Sequence, residues 1–370
     1  MLFDPNPKIR VEDLFDREKE LRVFRDALKR GERLIVVYGL RRVGKTSFIR
    51  VALRAYRYPH VVIDVREIYY SYRRITNYHI YRAIADYFTD NLKFFERIGY
   101  HVGDILRRVR GLRLKGVEVE VEPTRLPSIA SLLRHYNKWA GRRGTRFVLV
   151  FDEAQYLRYS GAVKFDGLFA WCVDNLENLT IVLSGSEVGL LRDFLRVEDP
   201  QAPLYGRYIH EIKLENFTEN QSIAFLEEGF RELGVEISRE EAREVVARLG
   251  RVPGWLTLYG YYRGVLKLDH REALEKVYEE GVKLVYEELE KIIEPSRDRY
   301  LAILEAITRG ATKWSQIKTY VAYRTGPLTD KRFNDLLKKL VKYSVVEKHR
   351  EEYRITDPIV EYAVRKASTR

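Results

Sequence analysis

Apolar runs punctuate the first part of the chain at residues 34–38, 60–65, 147–151, 180–184 and 209–214, reading LIVVY, HVVIDV, FVLVF, TIVLS and IHEIKL. Near-continuous Val, Ile and Leu over about five residues is the pattern of strands buried on both faces. The longer stretches between them have helical character, so five strands interleaved with helices predict an α/β fold with a parallel sheet. From Thr218 the period becomes helical. Thr218-Glu219-Asn220-Gln221 predicts a cap ahead of Ile223, Phe225 and Leu226, and Ser238-Arg239-Glu240-Glu241 predicts a capping box ahead of Ala242, Val245, Val246 and Leu249. Helices continue to about residue 295 and form a small helical lid subdomain. Beyond it, Tyr300, Leu301, Ile303, Leu304 and Ile307 mark one helix, a break falls at Arg309-Gly310, and a second helix spans about 314–323. A third, over about 329–343, lines up Phe333, Leu336, Leu337, Leu340 and Val341, and two short strands flank the polar turn Arg350-Glu351-Glu352. Three helices and a hairpin predict a winged helix-turn-helix. The chain thus divides into an α/β core at 1–217, the lid at 218–296 and the C-terminal domain at 297–370, with no internal repeat or low-complexity tract.

The first strand runs directly into Gly39-Leu40-Arg41-Arg42-Val43-Gly44-Lys45-Thr46, followed by Ser47-Phe48-Ile49-Arg50. A strand, a glycine-bounded loop and then a helix form the phosphate-binding P-loop in its required context. Gly39 and Gly44 permit a backbone turn that a Cβ would block, so successive N–H groups, with Ser47 beyond them, can surround a nucleotide's β-phosphate. Lys45 would reach the β- and γ-phosphates, and the Thr46 hydroxyl would ligate Mg²⁺.

At 370 residues, with 45% hydrophobic and 32% charged positions, the chain has the makeup of a water-soluble globular protein of two or three domains. No apolar stretch approaches the ~20 residues of a membrane helix, and Met1-Leu2-Phe3-Asp4-Pro5 lacks the apolar core of a signal peptide, so a cytoplasmic location is expected. Cys172 is the single cysteine, which excludes an intrachain disulfide and a cysteine-based zinc site. Beside Trp171 in a helical stretch, it reads as a small buried apolar residue. Abundant Arg, Lys and Glu with one Cys and one Met fit a thermophile's chain. The net charge of +12 is unevenly spread, with +5 over residues 1–53, +7 over 54–115, −7 over 116–297 and +7 over 298–370. Basic ends suggest a polyanionic partner, although a charge excess also describes an ordinary solvated surface.

Phe147 to Phe151 leads into Asp152-Glu153, a strand ending in two carboxylates about a hundred residues after the P-loop. In a nucleoside triphosphatase such a tip lies near the P-loop, with Asp152 orienting Mg²⁺ and Glu153 activating water. The next strand ends in Ser184-Gly185-Ser186-Glu187, whose hydroxyls either sense the γ-phosphate or simply make a strand-to-helix turn. Arg207, before the fifth strand, either supplies charge to the γ-phosphate, in cis or from a neighbouring subunit, or is a surface arginine. Tyr69-Tyr70-Ser71-Tyr72-Arg73-Arg74 offers rings for stacking on single-stranded bases, with buried tyrosine bodies and snorkelling arginines as the plainer reading.

Together these residues resemble the archaeal ATPase family of the AAA+/STAND superclass, P-loop ATPases related to origin-recognition proteins and to signalling and defence switches. The resemblance spans nearly the whole chain. Leu14-Phe15-Asp16-Arg17-Glu18-Lys19-Glu20-Leu21 resembles the N-terminal box that packs beside adenine, which implicates Phe15 and Arg17. Phe151-Asp152-Glu153-Ala154-Gln155 resembles the second acidic motif, and Leu183-Ser184-Gly185-Ser186 the third strand, with Ser184 in the catalytic set. Gly250-Arg251-Val252-Pro253-Gly254-Trp255-Leu256 is similar to the Gly-x-Pro motif of STAND proteins, in which Pro253 would approach the nucleotide. An AAA+ enzyme more often places a sensing arginine in the lid, and Arg251 is a weak match. Tyr353-Arg354-Ile355-Thr356-Asp357-Pro358-Ile359-Val360 resembles the family's ending, an aspartate-proline after the wing.

The resemblance implies ATP or ADP with Mg²⁺ as ligands; the preference for adenine rests on it, since no guanine-reading Asn-Lys-x-Asp follows the strands. The expected activity is that of an ATP-dependent switch associated with double-stranded DNA. If the third C-terminal helix enters a major groove, Lys331, Arg332, Asn334, Lys338 and Lys342 lie off its apolar face, with Lys348 and Arg350 on the wing. Asp330, Asp335, Glu351 and Glu352 oppose a phosphate backbone. The alternative is a signalling or defence switch whose winged helix docks a protein, and a third reading is a protein that holds ADP and rarely turns over.

Overall fold

The structure is a computed structural model, and it describes residues 1–98, 100 and 127–368. Its centre is a five-stranded parallel sheet in the order β2-β3-β4-β1-β5, built from β1 (Leu34–Tyr38), β2 (His60–Asp64), β3 (Phe147–Asp152), β4 (Leu179–Gly185) and β5 (His210–Lys213). All five apolar runs are strands. The alternation explains their composition: Leu34, Val36, Leu149, Phe151, Ile181 and Leu183 bury one face, while Ile35, Val37, Val148, Val150 and Val182 bury the other. The second run ends one residue earlier than expected. Asp64 accepts the Glu67 N–H at 2.9 Å and so caps the helix that Val65 opens.

Helices cover both faces, including α1 (Glu18–Arg30), α2 (Lys45–Tyr56), α3 (Val65–Tyr72), α4 (Asn77–Asp90), α5 (Leu92–Arg97), α6 (Ile129–Arg142), α7 (Phe165–Asn175) and α8 (Val188–Leu195). On α3 the bodies of Tyr69 and Tyr70 pack on the core and Arg73 lies 6.0 Å from the Tyr70 ring, the plainer of the two readings of that stretch. Cys172 is buried on α7, where burial pushes its thiol up to about 12.

The lid comprises α9 (Glu219–Glu232), α10 (Arg239–Leu249), α11 (Pro253–Gly260), one π-helical turn at Tyr261–Val265 and the long α12 (His270–Ile293). Thr218 and Gln221 form a reciprocal capping box. At Ser238 only half of the expected box forms: its side chain accepts the Glu241 N–H at 3.0 Å, but the Glu241 carboxylate is drawn to the Tyr259 hydroxyl at 2.7 Å and to Arg263 at 3.2 Å. The C-terminal segment has α13 (Arg297–Thr308), α14 (Trp314–Thr325), α15 (Asp330–Lys342) and the antiparallel pair β6 (Val346–His349) and β7 (Glu352–Ile355), as the pattern predicts, and adds α16 (Pro358–Ser368). One apolar cluster runs unbroken from the lid into this segment. The N-terminus joins it: the Phe3 ring occupies the space where side chains on Gly229 and Gly260 would begin, 2.3 Å from either position.

Candidate nucleotide site

The site gathers at the C-terminal edge of the sheet. β1 lies between β4 and β5, so the P-loop emerges beside the β4 tip, with Tyr38 paired to Gly185. Gly39 is required by its neighbour: a Cβ there would lie 2.1 Å from the Leu214 carbonyl oxygen. Gly44 has φ +92°, a left-handed turn that opens α2 at Lys45. The Lys45 ammonium is buried and donates to the carbonyls of Gly39 at 3.0 Å and Leu40 at 2.8 Å. Burial lowers its pKa, against the opposing pull of Glu153 and Asp152.

Asp152 collects two hydroxyls. Thr46 donates to one carboxylate oxygen at 2.7 Å and Ser184 donates to the other. Burial and the neighbouring Glu153 charge raise the Asp152 pKa, while Ser184 and Thr46 counter them. Glu153 stands in the left-handed region at φ 55°, an unusual conformation for a non-glycine residue and one that turns its side chain across the β4 tip. Its Oε2 accepts the Ser186 hydroxyl at 2.7 Å, the Ser186 N–H at 3.1 Å and the Gln155 amide at 2.7 Å. Burial alone would raise its pKa, but Lys45, Gln155 and Ser186 outweigh it and hold the carboxyl well below the usual range. The pair is therefore polarised, with negative charge favoured on Glu153. Gly185 clears room for Gln155, whose Oε1 is 2.8 Å from the position a Cβ would take.

The donors at Thr46 and Asp152 suit a hard divalent cation: one carboxylate and one hydroxyl, with phosphate oxygens and water left to complete the shell. Among the described residues no cluster of three or more His, Cys, Asp or Glu side chains could hold a metal without such help.

A cleft of about 340 Å³ opens beside Gly44 and Ser47, walled by Phe15, Phe217, Pro253 and Leu258. Phe15 packs edge-on against Phe217 and Phe225 at 5.6 and 5.5 Å. Arg17 is buried and ties the P-loop to the end of β5, donating to Glu215 O at 2.7 Å and Val43 O at 3.5 Å. Ser47 Oγ accepts the Lys8 N–H at 3.0 Å, so the N-terminal segment forms one wall.

Two P-loop side chains are held from elsewhere. Arg41 pairs with Glu187 at 2.7 Å and Glu288 at 2.9 Å, and Arg42 pairs with Glu288 at 3.2 Å. Glu288 lies on α12 and carries no local sequence signal. Asp64, in register with Asp152 at the neighbouring strand end, was also missed, although β2 and β3 end alike in an aspartate. Glu187 and Gln155 were visible in their motifs without an assigned role.

For Arg207 the structure corrects the in-cis reading and fits the surface arginine. It precedes β5, at the edge of the sheet opposite the P-loop, and forms a two-pronged pair with Asp174 at 2.9 and 2.7 Å. It cannot act in cis on a phosphate at the P-loop. The expected DNA contacts divide. Lys342 pairs with Asp193 of the core at 2.6 Å, Asn334 accepts the Trp314 indole N–H at 2.7 Å, and Arg332 donates to Ser296 at 2.6 Å. Lys348 lies 4.0 Å from Glu351 and 5.7 Å from the Tyr353 ring centre. Lys331, Lys338 and Arg350 are exposed.

Residues 14–258 match the family described as an ATPase domain predominantly from Archaea. The chain belongs to this family. As an archaeal-type ATPase it carries a further match at residues 294–356, to the C-terminal winged helix-turn-helix domain of MCM proteins. The Walker-type ATPase of Pyrococcus abyssi is 35% identical over 99% of this chain and 100% of its own, with a TM-score of 0.85. The ORC2 protein of Aeropyrum pernix, solved in ADPNP–ADP complexes, superposes with a TM-score of 0.60 over 100% and 98% of the two chains. At 14% identity that likeness concerns the fold alone. The comparison with curated proteins returns no match. No helix among the described residues is long and apolar enough to cross a membrane.

Proposed function

We propose that this ATPase-family chain is a Mg²⁺-dependent, ATP-hydrolysing switch of three parts, an α/β core at 1–217, a lid at 218–296 and a winged-helix effector at 297–370. The observation that carries the reading is the carboxylate pair at the β3 tip: Asp152 bonded to Thr46 and Ser184, Glu153 held by Ser186 and Gln155. The P-loop backbone from Gly39 to Thr46 would hold the phosphates, Lys45 would neutralise them, and the cleft between Phe15 and Pro253 would take the base. Mg²⁺, held by Thr46 and Asp152, would screen the β- and γ-phosphates. Glu153 would orient and deprotonate the attacking water, with Ser184 fixing Asp152 and the Glu153 backbone. Glu153→Gln tests the assignment: it should retain ATP while turnover collapses, whereas an unchanged turnover would reject it.

The effector reading is association with double-stranded DNA through the third helix and the wing, supported by the +7 charge of residues 298–370 and by the exposure of Lys331, Lys338 and Arg350. One observation favours the second reading, a switch that docks protein: the C-terminal end of α15 is packed on the core, where a Cβ on Gly189 would sit 2.7 Å from Lys342 Cα. DNA-stimulated, salt-sensitive hydrolysis supports the first, and DNA-indifferent hydrolysis the second.

A further inference from the structure

The P-loop has a contact that neither its own motif nor the lid explains. Arg42 donates to Asp357 at 3.5 Å, and Asp357 lies beyond the wing, immediately before α16. The same carboxylate accepts the Trp255 indole N–H at 2.9 Å and the Ile359 N–H at 2.9 Å. Trp255 in turn lies under the Arg42 guanidinium, 4.3 Å from its ring centre. The backbone is tied as well, with the Gly254 N–H donating to Arg42 O at 2.9 Å. Two glycines make the approach possible: a Cβ on Gly254 would sit 2.8 Å from Arg42 Cβ, and one on Gly250 would sit 2.9 Å from the Pro358 ring. The lid motif from Gly250 to Trp255 is thus pressed between the P-loop and the first residues of α16.

We propose that Asp357 is a positioning residue of the nucleotide site: through Arg42 and Trp255 it sets the P-loop from the C-terminal domain, and a bound triphosphate competes with it for Arg42. This rests on the nucleotide reading above. Arg42 sits two residues before Gly44, and its guanidinium is divided between Glu288 at 3.2 Å and Asp357 at 3.5 Å, so phosphate charge in the loop competes with the longer contact, to a carboxylate already shared with Trp255 and Ile359. The joint has room to move. Leu40, Arg42, Glu288, Ser344 and Asp357 surround a small cavity of about 40 Å³. A second contact would move with the first: Ser344 Oγ accepts the N–H of Val188, which opens the helix following the Ser184–Glu187 tip. Loss of the Arg42–Asp357 pair would therefore loosen the winged helix on the core, and ATP and ADP would do so unequally.

The experiment is a double-mutant cycle in the full chain. Fluorescent ATP and ADP analogues are titrated against wild type, Asp357→Asn, Arg42→Gln and the double variant. Asn keeps the acceptor for Trp255 and Ile359 and removes the charge. The expected result is that Asp357→Asn tightens ATP about fivefold more than ADP, as for a partly buried ion pair, and that this change vanishes in the Arg42→Gln background. An equal effect in both backgrounds, or an equal effect on both nucleotides, would overturn the proposal, since a merely structural residue acts that way. If wild type binds neither analogue, the nucleotide reading itself fails. The positioning contact is then read by limited proteolysis around residues 294–297, where faster cleavage of Asp357→Asn than of wild type keeps it and identical cleavage rejects it.

Discussion

The β-strand tips and the third helix of the winged domain were both read from charged residues in the sequence, yet they behave differently in three dimensions. At the tips, Lys45, Thr46, Asp152 and Ser184 converge, because each stands at a fixed offset from a strand whose place in the sheet is set by burial. On α15, Lys342, Asn334 and Arg332 are drawn to Asp193, Trp314 and Ser296, partners 20 to 149 residues away in the chain. A motif that couples backbone geometry to side-chain type carries its partners with it. A charge on an exposed helix face does not, and its role depends on what packs nearby.

The largest expected effect sharpens the first half of this comparison. Lys45→Ala removes the ammonium that faces both Glu153 and Asp152, and ATP hydrolysis should fall by roughly a thousandfold or more, measured as steady-state phosphate release. Gly39→Ala comes next. It drives a methyl into the Leu214 carbonyl and should cost about 3 kcal/mol of stability in denaturant unfolding. A neutral Gly39→Ala would mean that the β1–β5 junction is looser than the fold requires.

The second half is tested by charge removal on α15. Replacing Lys331, Arg332 and Lys338 together by alanine should weaken duplex DNA binding and lower its log–log salt slope by roughly two to three, about one for each phosphate left without its cationic side chain. An unchanged slope would sink the DNA reading of this helix. Smallest of all is Lys342→Ala. Its pair with Asp193 is half-exposed on both sides, so stability should change by under about 1 kcal/mol, read by thermal unfolding.

Much of the sheet and the winged domain could be read in advance, for a physical reason: strands buried on both faces must be apolar throughout, and LIVVY and FVLVF admit little else. Boundaries slipped by one or two residues at several strands and helices, and at Asp64 a local cap decided the end. The P-loop, Asp152 and Glu153 were legible because strand, turn and helix come in one order. Glu288 was not, since nothing around it on α12 distinguishes it from the other acids of an amphipathic helix. Of the readings of Arg207, the surface arginine fits the fold: in a parallel sheet a residue before a strand lies at the edge away from loops that follow strands, and the pairing of Ile35 with His210 puts it opposite the P-loop. Asp357 was visible as a motif, but its contact with Arg42 spans 315 residues and exists only in the folded chain.

The central claim is that Glu153, ionised and oriented by Ser186 and Gln155, activates water beside an Asp152-bound Mg²⁺. The most direct test compares wild type and Glu153→Gln in steady-state ATP hydrolysis with Mg²⁺, alongside ATP affinity measured on the same samples. The account predicts turnover reduced by about a hundredfold or more at nearly unchanged affinity. Equal turnover in the two proteins would contradict it.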